Sequence, residues 1–237
     1  GKPRLIVLNK ADLADETMTR VWVKYFAGQG ITAVPVDAVK GRGVKELVQA
    51  IAKCAKPKTD KLVQYGAKAR AARCMILGIP NVGKSSLINR LSGGTKTKVE
   101  NRPGVTRAKQ WIRLGAQLEL LDMPGILWPK FEDQQAALHL AFTGAINDNV
   151  YDVAGVVLLL LDTLRTKYPV VLSERFRLEG ELPSGVMLLE EIGRKRGCLR
   201  AGGKIDYEKT EQIILTDFRS GRFGRITLDV LPTDPST

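Results

Sequence analysis

The sequence predicts an α/β domain built on a mostly parallel, circularly permuted sheet, followed by a small all-helical C-terminal domain. Three observations carry this expectation. Gly78-Ile79-Pro80-Asn81-Val82-Gly83-Lys84-Ser85 fits the phosphate-loop pattern G-x-x-x-x-G-K-[ST] at every fixed position. Asn9-Lys10-Ala11-Asp12, a tetrapeptide that usually follows such a loop, here precedes it. Short apolar runs bounded by turn signals fill the first half, and helical periodicity fills the rest. The reversed order is physically harmless, because ligands of an open α/β sheet sit outside the carboxyl ends of the strands, wherever the chain starts. Domain termini are commonly exposed and close together, so they can be joined and reopened elsewhere.

Taken in order, Arg4–Leu8 is a continuous apolar run of the kind a doubly covered parallel strand needs, and it runs into Asn9. Asp15 can cap a helix from Glu16 to about Ala27, with Val21, Trp22, Tyr25 and Phe26 as its inner face. Gly28 and Gly30 stop it. Thr32–Val36 forms a second strand, and Val44, Leu47, Val48 and Ile51 mark a second helix. A Lys/Pro-rich connector around Lys56–Lys61 follows, where the original termini would be joined. Cys74–Leu77 enters the phosphate loop and Ser86–Leu91 leaves it as a helix. Lys96–Thr106 has no periodicity and reads as a mobile loop. Lys109–Leu114 and Leu118–Asp122, joined through Gly115-Ala116, form an antiparallel pair. Helices are expected at Gln134–Phe142, Val153–Leu164, Gly185–Arg196 and Tyr207–Phe218. The boundary falls near Trp128–Glu132, giving domains 1–129 and 130–237. That makes five strands, one fewer than a sheet of this kind usually has. The sixth, with its helix, is expected upstream of Gly1, and a chain beginning without methionine reads as a fragment.

With 237 residues, 44% of them hydrophobic, the chain can bury a full core. Its net charge of +12 is unevenly spread. Lys40–Arg73 holds ten Lys/Arg against Glu46 and Asp60, and Arg90–Arg113 holds seven against Glu100. A field this one-sided beside a nucleotide site favours a polyanionic partner, and RNA fits better than a membrane because no basic amphipathic helix stands out. Cys54, Cys74 and Cys198 show no C-x-x-C spacing, which implies neither a disulfide framework nor a zinc site. No signal peptide is visible. The run Val153–Leu161 is far too short to span a bilayer and reads as a buried helix.

The motifs assign the chemistry of a P-loop GTPase. Gly78 and Gly83 let the backbone curl, so that N–H groups from Asn81 through Ser86 and the following helix N-terminus face phosphate. Lys84 brings a positive charge to the β- and γ-phosphates, and the Ser85 hydroxyl ligates Mg²⁺. Asp122-Met123-Pro124-Gly125 follows a strand and matches the second metal motif: Asp122 holds Mg²⁺ through water and the Gly125 N–H touches the γ-phosphate. Thr106 in Pro103-Gly104-Val105-Thr106 is the candidate that closes on Mg²⁺ in the triphosphate state. Lys84, Thr106 and Gly125 are therefore the catalytic candidates, and Ser85, Thr106 and Asp122 the metal candidates. Asn9, Lys10, Ala11 and Asp12 choose the base. The Asp12 carboxylate can accept from guanine N1–H and N2–H₂, donors that adenine does not offer in that arrangement. Asp37-Ala38 sits where GTPases place a Ser-Ala pair whose backbone contacts the base oxygen. Ile126 occupies the position where many GTPases place a water-orienting glutamine, a task an apolar side chain cannot perform.

The permuted order, Asn-Lys-Ala-Asp, Gly-Ile-Pro-Asn-Val-Gly-Lys-Ser, Pro-Gly-Val-Thr, Asp-x-Pro-Gly-Ile and the helical tail together resemble the circularly permuted ribosome biogenesis GTPase A family. The resemblance implies a cytoplasmic, monomeric factor acting late in assembly of the large (50S) subunit. Its implied partners are the subunit precursor and 23S rRNA, with ribosomal proteins as further candidates and no membrane. GTP/GDP and Mg²⁺ are the implied cofactors, with K⁺ a further one, since Asn81 matches the phosphate-loop asparagine of K⁺-dependent relatives. Turnover is implied to be slow until a partner raises it. The family's N-terminal Pro-Gly-His segment has no counterpart in this sequence. His139, the single histidine, lies among Leu138, Leu140 and Ala141 and reads as structural. Arg194-Lys195-Arg196, Arg219, Arg222 and Arg225 are the candidate phosphate-contacting cations of the tail. Two other classes stay open on sequence: a GTP-regulated adaptor that recruits a protein and binds no RNA, and an ATP-using kinase or transferase, which Asp12 disfavours.

Overall fold

Two parallel strands open the chain. The apolar run of β1 (Leu5–Asn9) pairs with β2 (Thr32–Val36), from Leu5 opposite Thr32 to Asn9 opposite Val36. Between them α1 (Glu16–Gly28) starts at Asp15, whose carboxylate accepts from Met18 N–H at 2.8 Å. The computed structural model describes residues 2–64, 71–93, 110–114, 118–123, 125 and 133–232. A second sheet contains β3 (Ala72–Ile76), β4 (Gln110–Leu114) and β5 (Leu118–Asp122), in the order β3-β5-β4. β5 runs parallel to β3 and antiparallel to β4, the second pairing being the one expected from the sequence. Among the described residues no ladder joins the two sheets.

What unites them is α2 (Val44–Gln64) and one shared core. Val34 and Val36 of β2, Leu47 and Ile51 of α2, Leu118 of β5, and Leu87 of α3 (Lys84–Leu91) form a single buried cluster. Leu5 and Val7 pack on it from β1, and Ala72 and Cys74 from β3. Each fully buried aliphatic side chain contributes about 1.5–3 kcal/mol, so this cluster fixes the two sheets relative to each other without a shared ladder. The expected connector at Lys56–Lys61 is instead helical, because α2 continues through Pro57. The ring removes the hydrogen bond to the Lys53 carbonyl, and both residues are exposed, where water can take that carbonyl. The aromatic face expected to be the inside of α1 is only half-buried. Trp22, Tyr25 and Phe26 contact one another, mostly edge to face, with ring centroids 5.4–5.8 Å apart.

The chain divides into two units, Gly1–Trp128 with Thr227–Thr237, and Pro129–Ile226. The C-terminus therefore differs from a simple split at residue 129: Asp15 N–H donates to Thr227 Oγ1 at 3.1 Å, within the first unit. The second unit is helical, with α4 (Gln134–Phe142), α5 (Val153–Lys167), α6 (Pro169–Phe176), α7 (Gly185–Lys195) and α8 (Tyr207–Arg219). α5 is its axis. Val157, Leu160, Leu161 and Leu164 are fully buried, and the helix packs on the other four. α6 was not expected. Pro169, which cannot continue α5, is tolerated at the first position of a new helix, and Arg177 ends that helix in the left-handed region at φ 56°. No described helix is long and apolar enough to cross a membrane. Cys54, Cys74 and Cys198 are free thiols.

Arg219 is a correction to the sequence reading, which places it against phosphate. Its guanidinium donates to the Ala141 and Phe142 carbonyls at 2.9 and 3.2 Å, closing the C-terminus of α4. It also donates to the Asp148 carboxylate at 2.7 and 2.9 Å and to Tyr151 Oη at 3.0 Å. Hydrogen bonding from Arg219 holds the Asp148 carboxyl below the usual carboxylate range; partial burial opposes this, and the Tyr151 hydroxyl adds to it. A depressed carboxylate pKa stabilises the fold above the unfolded value of about 3.9, and that contribution is lost as pH falls through the folded value. Arg219→Ala is expected to destabilise the helical unit by about 2 kcal/mol at pH 7. In thermal unfolding the difference from wild type should shrink below about pH 4.

Candidate nucleotide-binding site

The phosphate loop leaves the carboxyl end of β3 and closes on α3. Gly83 caps α3 in the left-handed region at φ 90°, with no side-chain cap on the helix. The first-turn N–H groups of an uncapped helix suit an anion. Asn81 is also left-handed, at φ 57°. Ser85 is half-buried at the first turn and Ser86 is exposed beside it. Lys84 Nζ donates to the Gly78 and Ile79 carbonyls at 3.0 and 2.8 Å, so the ammonium lies folded over its own loop. Burial pushes the Lys84 pKa down and the Asp122 carboxylate pushes it back up. That carboxylate ends β5, is 1% exposed, and lies opposite Ile76 of β3 in the ladder. Gly125 backs directly onto the loop. A Cβ there would stand 3.0 Å from the Pro80 backbone, tighter than side chains normally approach.

From the other sheet, Asn9 reaches the same loop. Its amide donates to the Val82 carbonyl at 2.9 Å and lies 3.4 Å from the Gly83 carbonyl. A Cβ on Gly83 would meet the Asn9 amide nitrogen at 2.4 Å, so the two loops touch. Asn9 Oδ1 is buried and accepts no hydrogen bond from the described residues. The turn beyond Asn9 is short and fixed. Ala11 N–H donates to the Val36 carbonyl at 3.1 Å and Leu13 N–H to Lys10 O at 2.9 Å, before the Asp15 cap begins α1. Lys10 adopts φ 56°. Asp12, half-buried in this turn, has a carboxylate that accepts nothing from the described residues.

Asp37-Ala38 continues from β2 into a second turn beside it. Asp37 is 3% exposed, and one carboxylate oxygen accepts from Val39 and Lys40 N–H at 3.0 and 2.9 Å. Arg90 of α3 donates to the Ala38 carbonyl at 3.0 Å and to the Val39 carbonyl. In the sequence Arg90 is only one charge in a basic run. No spacing signal marks it, since its partners lie 51 and 52 residues away. Thr106, Pro124 and Ile126 lie outside the described residues. His139 sits on α4 with its ring 6.1 Å from Phe142, as a structural histidine would.

The loops bearing Asn9, Asp122 and Gly125 thus surround one phosphate loop. A family model described as 50S ribosome-binding GTPase matches residues 73–181. That span includes the phosphate loop and Asp122 but leaves Asn9–Asp12 upstream, as permutation requires. Ribosome biogenesis GTPase A of Bacillus cereus is 48% identical over 229 residues, covering 96% of this chain and 77% of that protein. The chain belongs to the ribosome biogenesis GTPase A family. Two solved structures of family members share its fold at 28% identity. A GDP-bound YlqF has a TM-score of 0.63 over 95% of this chain and 82% of its own. A GNP-bound YlqF from T. maritima scores 0.60 over 94% and 79%. The chain is accordingly a circularly permuted GTPase that binds guanine nucleotide and hydrolyses GTP.

Gly83→Ala tests how closely the two loops are matched. It combines a left-handed φ with the 2.4 Å contact to the Asn9 amide. Left-handed strain costs about 1–3 kcal/mol of fold stability, read as a lowered unfolding temperature. Displacing the Asn9 amide from the loop should separately weaken GDP binding, by about tenfold in titration calorimetry.

Proposed function

We propose that this GTPase is a timing switch in maturation of the large (50S) ribosomal subunit, acting in the cytoplasm as a monomer and binding 23S rRNA. The nucleotide half of the proposal rests on the Asn9 to Val82 hydrogen bond, which ties the base-side turn to the phosphate loop. Asp12 accepts from guanine N1–H and N2–H₂, and the Asn9–Ala11 and Asp37-Ala38 backbones frame the ring. The N–H groups of Asn81–Ser86 hold the phosphates, and the Lys84 ammonium turns from the Gly78 and Ile79 carbonyls to the phosphate oxygens. Mg²⁺ fits the donor set. The Ser85 hydroxyl and the Asp122 carboxylate are hard oxygen donors beside the phosphate loop, with Thr106 as a third candidate. The ion would neutralise charge across the β- and γ-phosphates. Gly125 N–H steadies the γ-phosphate while water attacks in line. Ile126 cannot orient that water, so hydrolysis is slow until the ribosomal subunit supplies the missing group; K⁺ near Asn81 is a further candidate.

The RNA half is supported by a groove of about 230 Å³ on the helical unit, lined by Arg196, Lys209, Gln212, Thr216 and Arg222 over Asp217. Asp217 is 1% exposed and pairs with Arg175 at 2.6 Å and Arg222 at 2.7 Å, with Arg196 at 4.0 Å. One carboxylate cannot balance three guanidiniums and Lys209, and the surplus suits backbone phosphates.

Two measurements test the reading. Asp12→Asn should shift preference from GDP towards xanthosine diphosphate, whose added O2 accepts from the amide; unchanged GDP preference rejects Asp12 as the base reader. Binding to large-subunit precursor should weaken steeply with salt. Replacing Arg196 and Lys209 with Gln should lower the slope of log K against log salt by about 0.7–0.9 per lost contact. A salt-independent affinity would favour a protein partner.

A further inference from the structure

We infer that Arg90 is a positioning residue for guanine recognition, acting by fixing the turn that presents the Ala38 N–H to the base oxygen. The inference rests on the proposed base-side reading. Within the turn, Asp37 N–H donates to the Arg42 carbonyl at 3.0 Å and Gly41 N–H to the Asp37 carbonyl at 2.7 Å. Val39 and Lys40 N–H are both taken by the Asp37 carboxylate. Of the five N–H groups from Asp37 to Gly41, that leaves Ala38. This residue is 5% exposed, and its N–H donates to nothing among the described residues. A buried backbone donor without an acceptor is costly, and such sites are normally paired. A ligand acceptor would complete this one.

The position of the turn also points to the base. Asn9 and Val36 are ladder partners, and Ala11 N–H donates to the Val36 carbonyl, so the Asn9–Asp12 turn and the Asp37-Ala38 turn leave neighbouring strand ends side by side. An acceptor adjoining the group held by Asp12 is therefore suitably placed, and guanine offers O6 next to N1.

Arg90 fixes the turn from outside. Its Nε and a terminal nitrogen donate to consecutive carbonyls, Ala38 and Val39, in a forked arrangement that a lysine cannot reproduce. The guanidinium lies against Gly41, where φ is +82° and a Cβ would be 3.6 Å from Arg90 Cδ and Nε. Pinning both carbonyls holds the two peptide units that follow Ala38, while Gly41 N–H, bonded to the Asp37 carbonyl, holds the unit that carries the Ala38 N–H; together they set its direction. Arg90 also sits on α3, whose first turn carries Lys84 and Ser85. The base turn is thereby referenced to the phosphate loop.

The test is titration of the full chain and its Arg90→Ala variant with GDP and with 6-thioguanosine diphosphate. The thio analogue keeps both donors for Asp12 and replaces O6 by a weaker acceptor. Wild type should prefer GDP. Arg90→Ala should lose about tenfold in GDP affinity and little for the thio analogue, so that the preference collapses. Equal losses for both ligands, or no loss for GDP, would overturn the role of Arg90 while leaving the base reading intact. A wild type that does not discriminate between the two ligands would overturn the Ala38 base reading and the inference with it. If Arg90→Ala does not fold, Arg90→Lys, which keeps the charge and stem, supplies the same comparison: a reduced preference supports the inference and an unchanged one overturns it.

Discussion

The hydrogen bond from the Asn9 amide to the Val82 carbonyl makes one site out of two distant stretches of chain. Its own contribution to stability is small, about 0.5–1.5 kcal/mol, so it cannot be what holds the sheets together. That work falls to the apolar cluster of Val34, Val36, Leu47, Ile51, Leu87 and Leu118, where each buried side chain contributes more than the hydrogen bond does. The core brings the carboxyl ends of β1 and β3 to the same place, and the Asn9 amide sets their alignment. Permutation leaves this division of labour untouched, because neither the core nor the hydrogen bond depends on which motif the chain reaches first.

Charge in this protein does two different jobs, and hydrogen-bond partners separate them. Arg219 and Arg90 spend their guanidiniums on backbone carbonyls, and Arg219 on Asp148 as well, so they are structural cations. Arg196, Lys209 and Arg222 share a groove with a single buried carboxylate and leave positive charge over. Lys84 lies between these cases. Its carbonyl partners satisfy the ammonium, while burial lowers its pKa and Asp122 resists that. An arriving phosphate would relieve the desolvation that the loop carbonyls only partly offset. A net charge of +12 alone distinguishes none of these roles.

The candidate nucleotide site is legible in the sequence because the chemistry assigned to it demands fixed residue types at fixed local spacing. Asn9–Asp12, Gly78–Ser86 and Asp122–Gly125 can each be read within a few residues, and the apolar runs located all five strands to within a residue or two. What escaped depends on contacts that sequence spacing does not encode. Arg90 meets the Asp37–Gly41 turn only after α3 docks, and Arg219 caps a helix that ends 77 residues upstream. Pro57 suggested a break in α2 because the exposure of its turn is a tertiary property. α6 is short and starts directly at Pro169, where proline is well tolerated as a helix begins. Thr227 returns to Asp15, a pairing across most of the chain.

The most direct measurement is a crystal structure of this chain with GDP and Mg²⁺. The account predicts one nucleotide with its guanine N1 and N2 about 3 Å from the Asp12 carboxylate and its β-phosphate in contact with Lys84 Nζ. A guanine seated away from Asp12, or a phosphate bound by Lys84 while the base occupies a separate crevice, would contradict it.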